Sequence, residues 1–472
     1  MPTSPSPASW LRAGQLGALL LTGAAYWGLA YATPRPQFGQ LLGLLAVAGV
    51  AYVWLLRTQL PLRWGLGAAL LFRLLWLPAT PALSDDFYRF RWDGLLVSHG
   101  HNPFAETPRQ LLAWPPADSA TLPMPELRRL LPHLNSPAYF SVYPPVCQAL
   151  YGAATKAFPT SQTGFLIVVR LALLLADAGA AVLLLWLLPL AGWPARRALA
   201  YLLHPLVVVE VVGNVHMEGA VVCLLLLAGA LLARRRLRLA AGAFALAVAT
   251  KLLPLLALPL LARCLSPRRL WQFVGVLTGC LGVLFAPFLS WRLFLHIGLS
   301  IGLYFQRFEF NASVFYVLLA LGKWLTGYDL VGGLGPLLGA ATICLIFLIA
   351  RRAGRPALSA LPHWLLLTFS GYFMLATTVH PWYLVPLVAL SCFSRLHYAR
   401  VWAGLAVLSY SAYRTSAYTE SGVLLTLEYG VVLAWAIGEY YLGRWQRPSA
   451  TTGPWPGGAS EPGPGPSPRR AG

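Results

Sequence analysis

Charge is scarce in this sequence: 11% of its 472 residues are Asp, Glu, Lys or Arg, and acids are the scarcer sign, 15 against 35 Lys and Arg. A soluble domain carries about 25% charged residues, so too few are present for a water-exposed surface of this size, and most of the 58% hydrophobic residues must face lipid. Cysteine is also scarce. The six (Cys147, Cys223, Cys264, Cys280, Cys344, Cys392) lie in or beside apolar stretches with no CxxC spacing, which argues for buried, unpaired packing. HExxH-like spacing is missing, so His216, Glu218 and His380, ligands by type, lack a metal-site pattern. The basic excess forms no stripe: the net charge of +20 is spread as short clusters between apolar runs, which excludes a nucleic-acid partner.

What is present is apolar sequence. Runs approaching the ~20 residues that a bilayer-spanning helix needs start near Trp10, Leu41, Trp64, Phe165, Ala198, Gly219, Ala240, Trp271, Leu330, Leu361, Tyr383, Val401 and Gly422. The first has no basic leader or small-residue cleavage site and reads as a retained helix. The expected fold class is an all-α polytopic membrane protein with roughly 11–14 transmembrane helices. Arginines at positions 57, 63, 196–197, 234–238, 263–269, 351–355, 395, 400, 444 and 447 mark one side, which the positive-inside rule makes cytoplasmic. The opposite side then carries the segment 79–140 and the turns at Asn214, Lys251, His380 and Arg414.

The expected organisation is two N-terminal helices within 1–63, a body over 64–445 with a long outer loop at 79–140 carrying interfacial helices, and a disordered Pro/Gly/Ser-rich cytoplasmic tail at 446–472. Two pairs of short apolar runs, 199–212 with 219–232 and 240–249 with 252–262, each turn around on the outer side. An eleven-residue run rises about 16 Å against a hydrocarbon core of ~30 Å, so Lys251 sits below the membrane surface. Broken helices at that depth belong where they line a cavity. Segments 142–158 and 294–325 read as re-entrant or interfacial.

The candidate chemistry gathers on the outer side. The outer loop opens on Ser84-Asp85-Asp86-Phe87-Tyr88-Arg89-Phe90-Arg91-Trp92-Asp93-Gly94, a short surface helix with Ser84 as N-cap and acids in its first turn. Asp85, Arg89 and Asp93 share a face. Adjacent acids point about 100° apart on a helix, so one of Asp85 and Asp86 faces a cavity as a general base, while the other caps, orients or helps hold a divalent cation. Paired capping acids are the plainer alternative. At the next outer turn Asn214, His216 and Glu218 converge, with Glu210 and Asp177 deeper in apolar sequence, where an ionisable group is functional or paired. Arg170, two turns away on a similar face, is the partner expected for Asp177. Lys251, His380 and Arg414 add donors suited to anionic phosphate, although snorkelling explains any one of them alone.

The order of the acidic pair with Trp92-Asp93-Gly94 and Asn102-Pro103-Phe104, then Tyr143-Pro144-Pro145, His204-Pro205 to Glu218, Thr250-Lys251 to Pro254, and His380-Pro381-Trp382-Tyr383 resembles the GT-C superfamily of polyprenyl-phosphate-sugar-dependent glycosyltransferases. It is most similar to bacterial polyprenol-phosphate-mannose mannosyltransferases and the catalytic subunit of GPI mannosyltransferase I. The likeness runs from about Trp64 to Tyr441. It implies a GT-C fold in the bacterial cytoplasmic membrane, an active site facing the periplasm, and inverting transfer of mannose from a polyprenyl-phosphate donor to a glycan or glycolipid acceptor. It implies Asp85 or Asp86 as the base and the turn of Asn214, His216 and Glu218 with Lys251 along the substrate cavity; the residues themselves add Arg89, Asp93, His380 and Arg414 around donor and substrate, and Mg²⁺ or Mn²⁺ at Asp85 and Asp86 stays open. The acidic motif follows the third helix here and the first in many family members, so two helices are additional. The competing reading is a transporter or flippase of lipid-linked sugars, which uses short helix pairs too; the missing internal repeat and the long outer loop count against it. A subunit that binds a lipid-linked sugar without turning it over is the third.

Overall fold

The computed structural model describes residues 7–115, 120–291, 293–296, 298–299, 308–328, 330–415 and 417–445; the tail expected at 446–472 lies outside them. Among the described residues the chain is helical, and β pairing is confined to one bridge between Phe310 and Thr378. Among the described residues six helices are long and apolar enough to cross a membrane: Phe38–Arg57, Gln162–Leu190, Pro267–Phe288, Val331–Ala353, Leu358–Leu375 and Gly422–Tyr441. The pair Pro205–Gly213 and Glu218–Ala233, bent by 106°, makes a seventh span if counted as one, and Leu237–Thr250, Leu253–Cys264, Val314–Thr326 and Pro381–Ser391 are shorter. This is a multi-pass membrane protein. The count falls below the runs in the sequence because one pair of runs folds as a bent helix and several others as helices too short to span.

The N-terminal hairpin, α1 (Pro7–Tyr31) and α2 (Phe38–Arg57), packs on α3 (Leu62–Leu74). Tyr26 meets Phe72 edge-on at 5.1 Å, and Gln15 donates to the Thr58 carbonyl at 3.0 Å. The arginine clusters contact one another's loops: Arg196 donates to Gln59 at 2.9 Å, Arg263 to the Gly354 carbonyl at 2.8 Å, and Arg197 to Ser394.

The outer loop is built rather than slack. It holds α4 (Asp86–Ser98), α5 (Pro108–Ala113) and α6 (Met124–Leu130), with a small core of Trp92, Leu95, Leu96, Leu111, Leu122, Leu127, Leu130 and Leu134. The segment expected as re-entrant or interfacial becomes α7 (Pro145–Ala157), laid along α4. Glycine permits that approach: a Cβ on Gly94 would stand 2.5 Å from the Tyr151 carbonyl oxygen, and one on Gly152 2.7 Å from a Val97 methyl. The second such segment, 294–325, lies partly outside the described residues; its described end includes the short helix Val314–Thr326.

Deep charges are paired, but not as the sequence implied. Asp177, on α8 (Gln162–Leu190), takes Arg73 of α3 as its partner and accepts from the Tyr201 hydroxyl at 2.8 Å. Arg170 instead donates to four backbone carbonyls, Val212 at 2.8 Å, Gly213 at 2.7 Å, Leu77 at 3.0 Å and Ala79. Two turns along one helix bring the two side chains to similar faces, yet the tertiary fold gives each a nearer partner. Breaking a buried pair strands a charge, whereas removing both partners does not. Asp177→Leu should cost about 3–5 kcal/mol of stability, and Arg73→Met/Asp177→Leu should recover most of it. Unfolding in detergent micelles checks this; equal loss in single and double variants would contradict it.

Candidate active site

Between the outer loop and the broken helices lies a cavity of about 470 Å³, within the ~300–1,000 Å³ range of ligand pockets. Asp85, Asp86, Arg89, His216, Glu218, Lys251 and His380 all line it. Segments far apart in sequence therefore meet on one wall, while a separate crevice bounded by Leu187, Val222, Phe244 and Phe393 is apolar.

The acidic pair divides. The Ser84 hydroxyl accepts from the Asp86 amide at 3.2 Å, and Asp85, not Ser84, occupies the N-cap position of α4. Asp85 accepts from Arg35 at 2.6 Å. Asp86 accepts from Asn135 at 2.8 Å and turns its other oxygen toward His216 Nε2, 3.9 Å away. At the first turn of a helix both carboxylates also meet the positive end of the helix dipole.

Behind His216 stands a carboxylate. The Nδ1–H of His216 donates to Glu210 at 2.9 Å, and Glu210 also accepts from Asn214 at 3.0 Å and from the Tyr410 hydroxyl. A carboxylate taking these donors fixes the imidazole so that Nε2, buried and without a hydrogen-bond partner in the protein, faces Asp86. Glu210 lies in a π-helical turn, Val208–Gly213, a form concentrated at functional sites. Val215, beside His216, has φ of 59°, and Asn311 and Tyr418, the one beside a lining residue and the other in the wall, have φ of 47° and 52°. Asn adopts left-handed backbone readily, but on Val215 and Tyr418 it is strained, and such strain clusters at working sites.

Lys251 ends the helix Leu237–Thr250, pairs with the buried Glu218, and lies 4.1 Å from the centre of the Tyr383 ring. His216, Trp382 and His380 stack in turn at 3.9 and 4.4 Å, and Phe310 covers His380 at 4.8 Å. Burial, with His216 and Lys251 adding to it, pushes the His380 imidazole down to about 3. His380 is therefore a neutral hydrogen-bonding group, not a cation.

Three expected residues stand off the cavity. Asp93 is fully buried, holding Arg89 at 2.9 Å and Gln148 at 3.0 Å and accepting from Ser141, so it braces Arg89. Asn214 accepts from the Leu83 amide at 3.3 Å while donating to Glu210, and thereby ties the approach to Asp85 onto the histidine turn. Arg414 bends back to the Ser411 carbonyl at 3.1 Å and lies over Phe38, because carbonyls of its own helix end are nearer than the cavity. The shared face of Asp85, Arg89 and Asp93 yields the Arg89–Asp93 pair alone. Among the described residues no three His, Cys, Asp or Glu side chains form a metal-holding set, and a divalent cation on Asp85 and Asp86 would have to displace Arg35 from the first and Asn135 from the second. Arg35, Asn135 and Tyr410 went unread in the sequence. Arg35 alone carried a signal: an arginine in a loop apart from the clusters that the positive-inside rule groups together.

Over residues 22–266, more than half of the chain, the sequence matches the family described as MptA_B, alpha-(1->6)-mannopyranosyltransferase, N-terminal domain. No curated protein matches it. Helical architecture, multi-pass character and this match agree with the GT-C reading, and the chain belongs to the MptA_B family of alpha-(1->6)-mannopyranosyltransferases, a glycosyltransferase of the mannosyltransferase kind.

Proposed function

We propose that the protein transfers mannose from a polyprenyl-phosphate donor to a glycan or glycolipid acceptor, on the side of a bacterial cytoplasmic membrane opposite the arginine loops, the periplasmic side. The observation that carries the reading is Asp86: oriented by Asn135, facing the Glu210-backed His216, and sharing one cavity with Lys251. A carboxylate so placed accepts the acceptor hydroxyl's proton as that oxygen attacks the anomeric carbon. The bond from that carbon to the phosphate oxygen breaks with its electron pair leaving on phosphate. Lys251 and the Arg89 guanidinium, whose Nη2 has no protein partner, offset the charge that develops there. His380 adds a neutral contact.

One displacement inverts the anomeric carbon, and no glycosyl-enzyme forms, unlike the two-carboxylate retaining route. The α linkage in the family's description then requires a β-linked donor. Trp382 and His380, whose faces are taken by their stacking neighbours, present only ring edges to the sugar, and the lipid chain leaves the cavity sideways into the bilayer.

Transfer of radiolabelled mannose from a short-chain polyprenyl-phosphate donor tests the reading. Asp86→Asn should lower kcat by about 10²–10⁴-fold, and Asp85→Asn by much less. Equal loss in both, or greater loss in Asp85→Asn, would reverse the assignment. Glu210→Gln should lower activity about 10–100-fold, the scale for losing a carboxylate that orients a histidine of the site, whereas Arg414→Ala should transfer as wild type does. Movement of the intact lipid-linked sugar across vesicles, without transfer, would establish the carrier instead.

A further inference from the structure

The loop between α1 and α2 belongs to helices with no role in the chemistry described so far, yet it reaches the cavity wall. It is stiff: Pro34 and Pro36 fix their own φ angles, the Gln37 amide donates to the Pro34 carbonyl and the Phe38 amide to that of Pro36, both at 2.9 Å. Thr33 bonds back to the Gly28 carbonyl at 2.8 Å, and Gln40 to that of Ala32 at 3.0 Å. At its tip, Arg35 donates to Asp85 at 2.6 Å and to the Tyr418 hydroxyl at 3.0 Å, and its guanidinium stands 4.3 Å from the centre of the Tyr413 ring. Tyr418 holds its place in the left-handed backbone region, with φ of 52°. The family match starts at residue 22, so Arg35 lies inside it.

The cavity must admit an anion, yet acids crowd one wall. Asp85, Asp86, Glu218 and Glu309 line it with Arg35, Arg89 and Lys251. Arg89 is committed to Asp93 and Lys251 to Glu218. The charge of Asp85 therefore falls to Arg35, and the side chains of that pair are 18% and 35% exposed, only partly screened by water. Without Arg35, a second carboxylate beside Asp86 would repel phosphate and compete with Asp86 for the acceptor's proton.

We propose that the N-terminal hairpin completes the active site, and that Arg35 is a positioning residue that occupies Asp85, leaving Asp86 the one carboxylate of the pair open to the acceptor hydroxyl. The inference rests on the polyprenyl-phosphate reading above, but its test has a readout that needs no turnover. Binding of a short-chain polyprenyl phosphate without sugar is measured by calorimetry in detergent for the full-length wild type, Arg35→Ala, Arg35→Lys and Arg35→Ala/Asp85→Asn, with mannose transfer measured in parallel. Arg35→Ala should weaken phosphate binding roughly tenfold, the scale of a partly exposed charge pair, and lower kcat/KM at least as much. Neutralising Asp85 in the double variant should restore most of both, and Arg35→Lys should stay close to wild type. A role confined to packing predicts no such restoration, because the double variant still lacks the arginine side chain. Wild-type binding and transfer in Arg35→Ala, or a loss that Asp85→Asn does not relieve, would overturn the proposal. A wild type that binds polyprenyl phosphate but transfers no mannose would sink the donor-sugar reading alone; one that binds none would sink both.

Discussion

The guanidinium of Arg170 holds the site together. Its N–H groups meet carbonyls from two segments far apart in the chain, 77–79 and 212–213. The first leads into the acidic pair and the second into the histidine turn. Helix ends and irregular backbone leave carbonyls unpaired, and at membrane depth water is not there to satisfy them. One fully buried arginine meets that need for both segments and fixes how far apart they stand. Asn214 repeats the tie one layer nearer the cavity, between the Leu83 amide and Glu210.

Around that anchor, ions are arranged by the cost of burying charge. Arg73 with Asp177, Arg89 with Asp93, Lys251 with Glu218 and Arg35 with Asp85 each neutralise locally. Asp86 stands apart: its carboxylate meets the Asn135 amide and faces the His216 imidazole. A general base needs this, because a carboxylate locked on a cation is a weaker proton acceptor. In the proposed mechanism the same pairing divides the acidic pair, with Arg35 of the hairpin on Asp85 and none of these cations on Asp86.

The outer loop shows how a long excursion becomes a wall. Small residues on α4 and α7 let the two helices touch, and a leucine-rich satellite core closes the loop on itself. Asn135 and Tyr139 then reach the cavity from its far end. Strained backbone at Val215 and Tyr418 marks where the fold forces side chains toward the cavity at some local cost.

Much of this was legible in sequence because membranes impose strong one-dimensional rules. Scarce charge and long apolar runs dictate an all-helical multi-pass chain, arginine placement groups the loops by side, and short runs foretell the broken helices that bear His216 and Lys251. The order of motifs identified the family and brought the residues of the cavity wall to notice. Pairing was not legible, since it depends on which segments meet in three dimensions. Helical spacing set Arg170 near Asp177, and the fold gave Asp177 to Arg73; spacing put Asp85 on the face of Arg89, and the fold gave it to Arg35 from a loop fifty residues earlier. Arg414 shared the expected side but points at its own helix end. Hydrophobic periodicity and charge bias fix which residues are buried and on which side, whereas a hydrogen bond needs atoms within about 3 Å, and that distance is decided only when the helices pack.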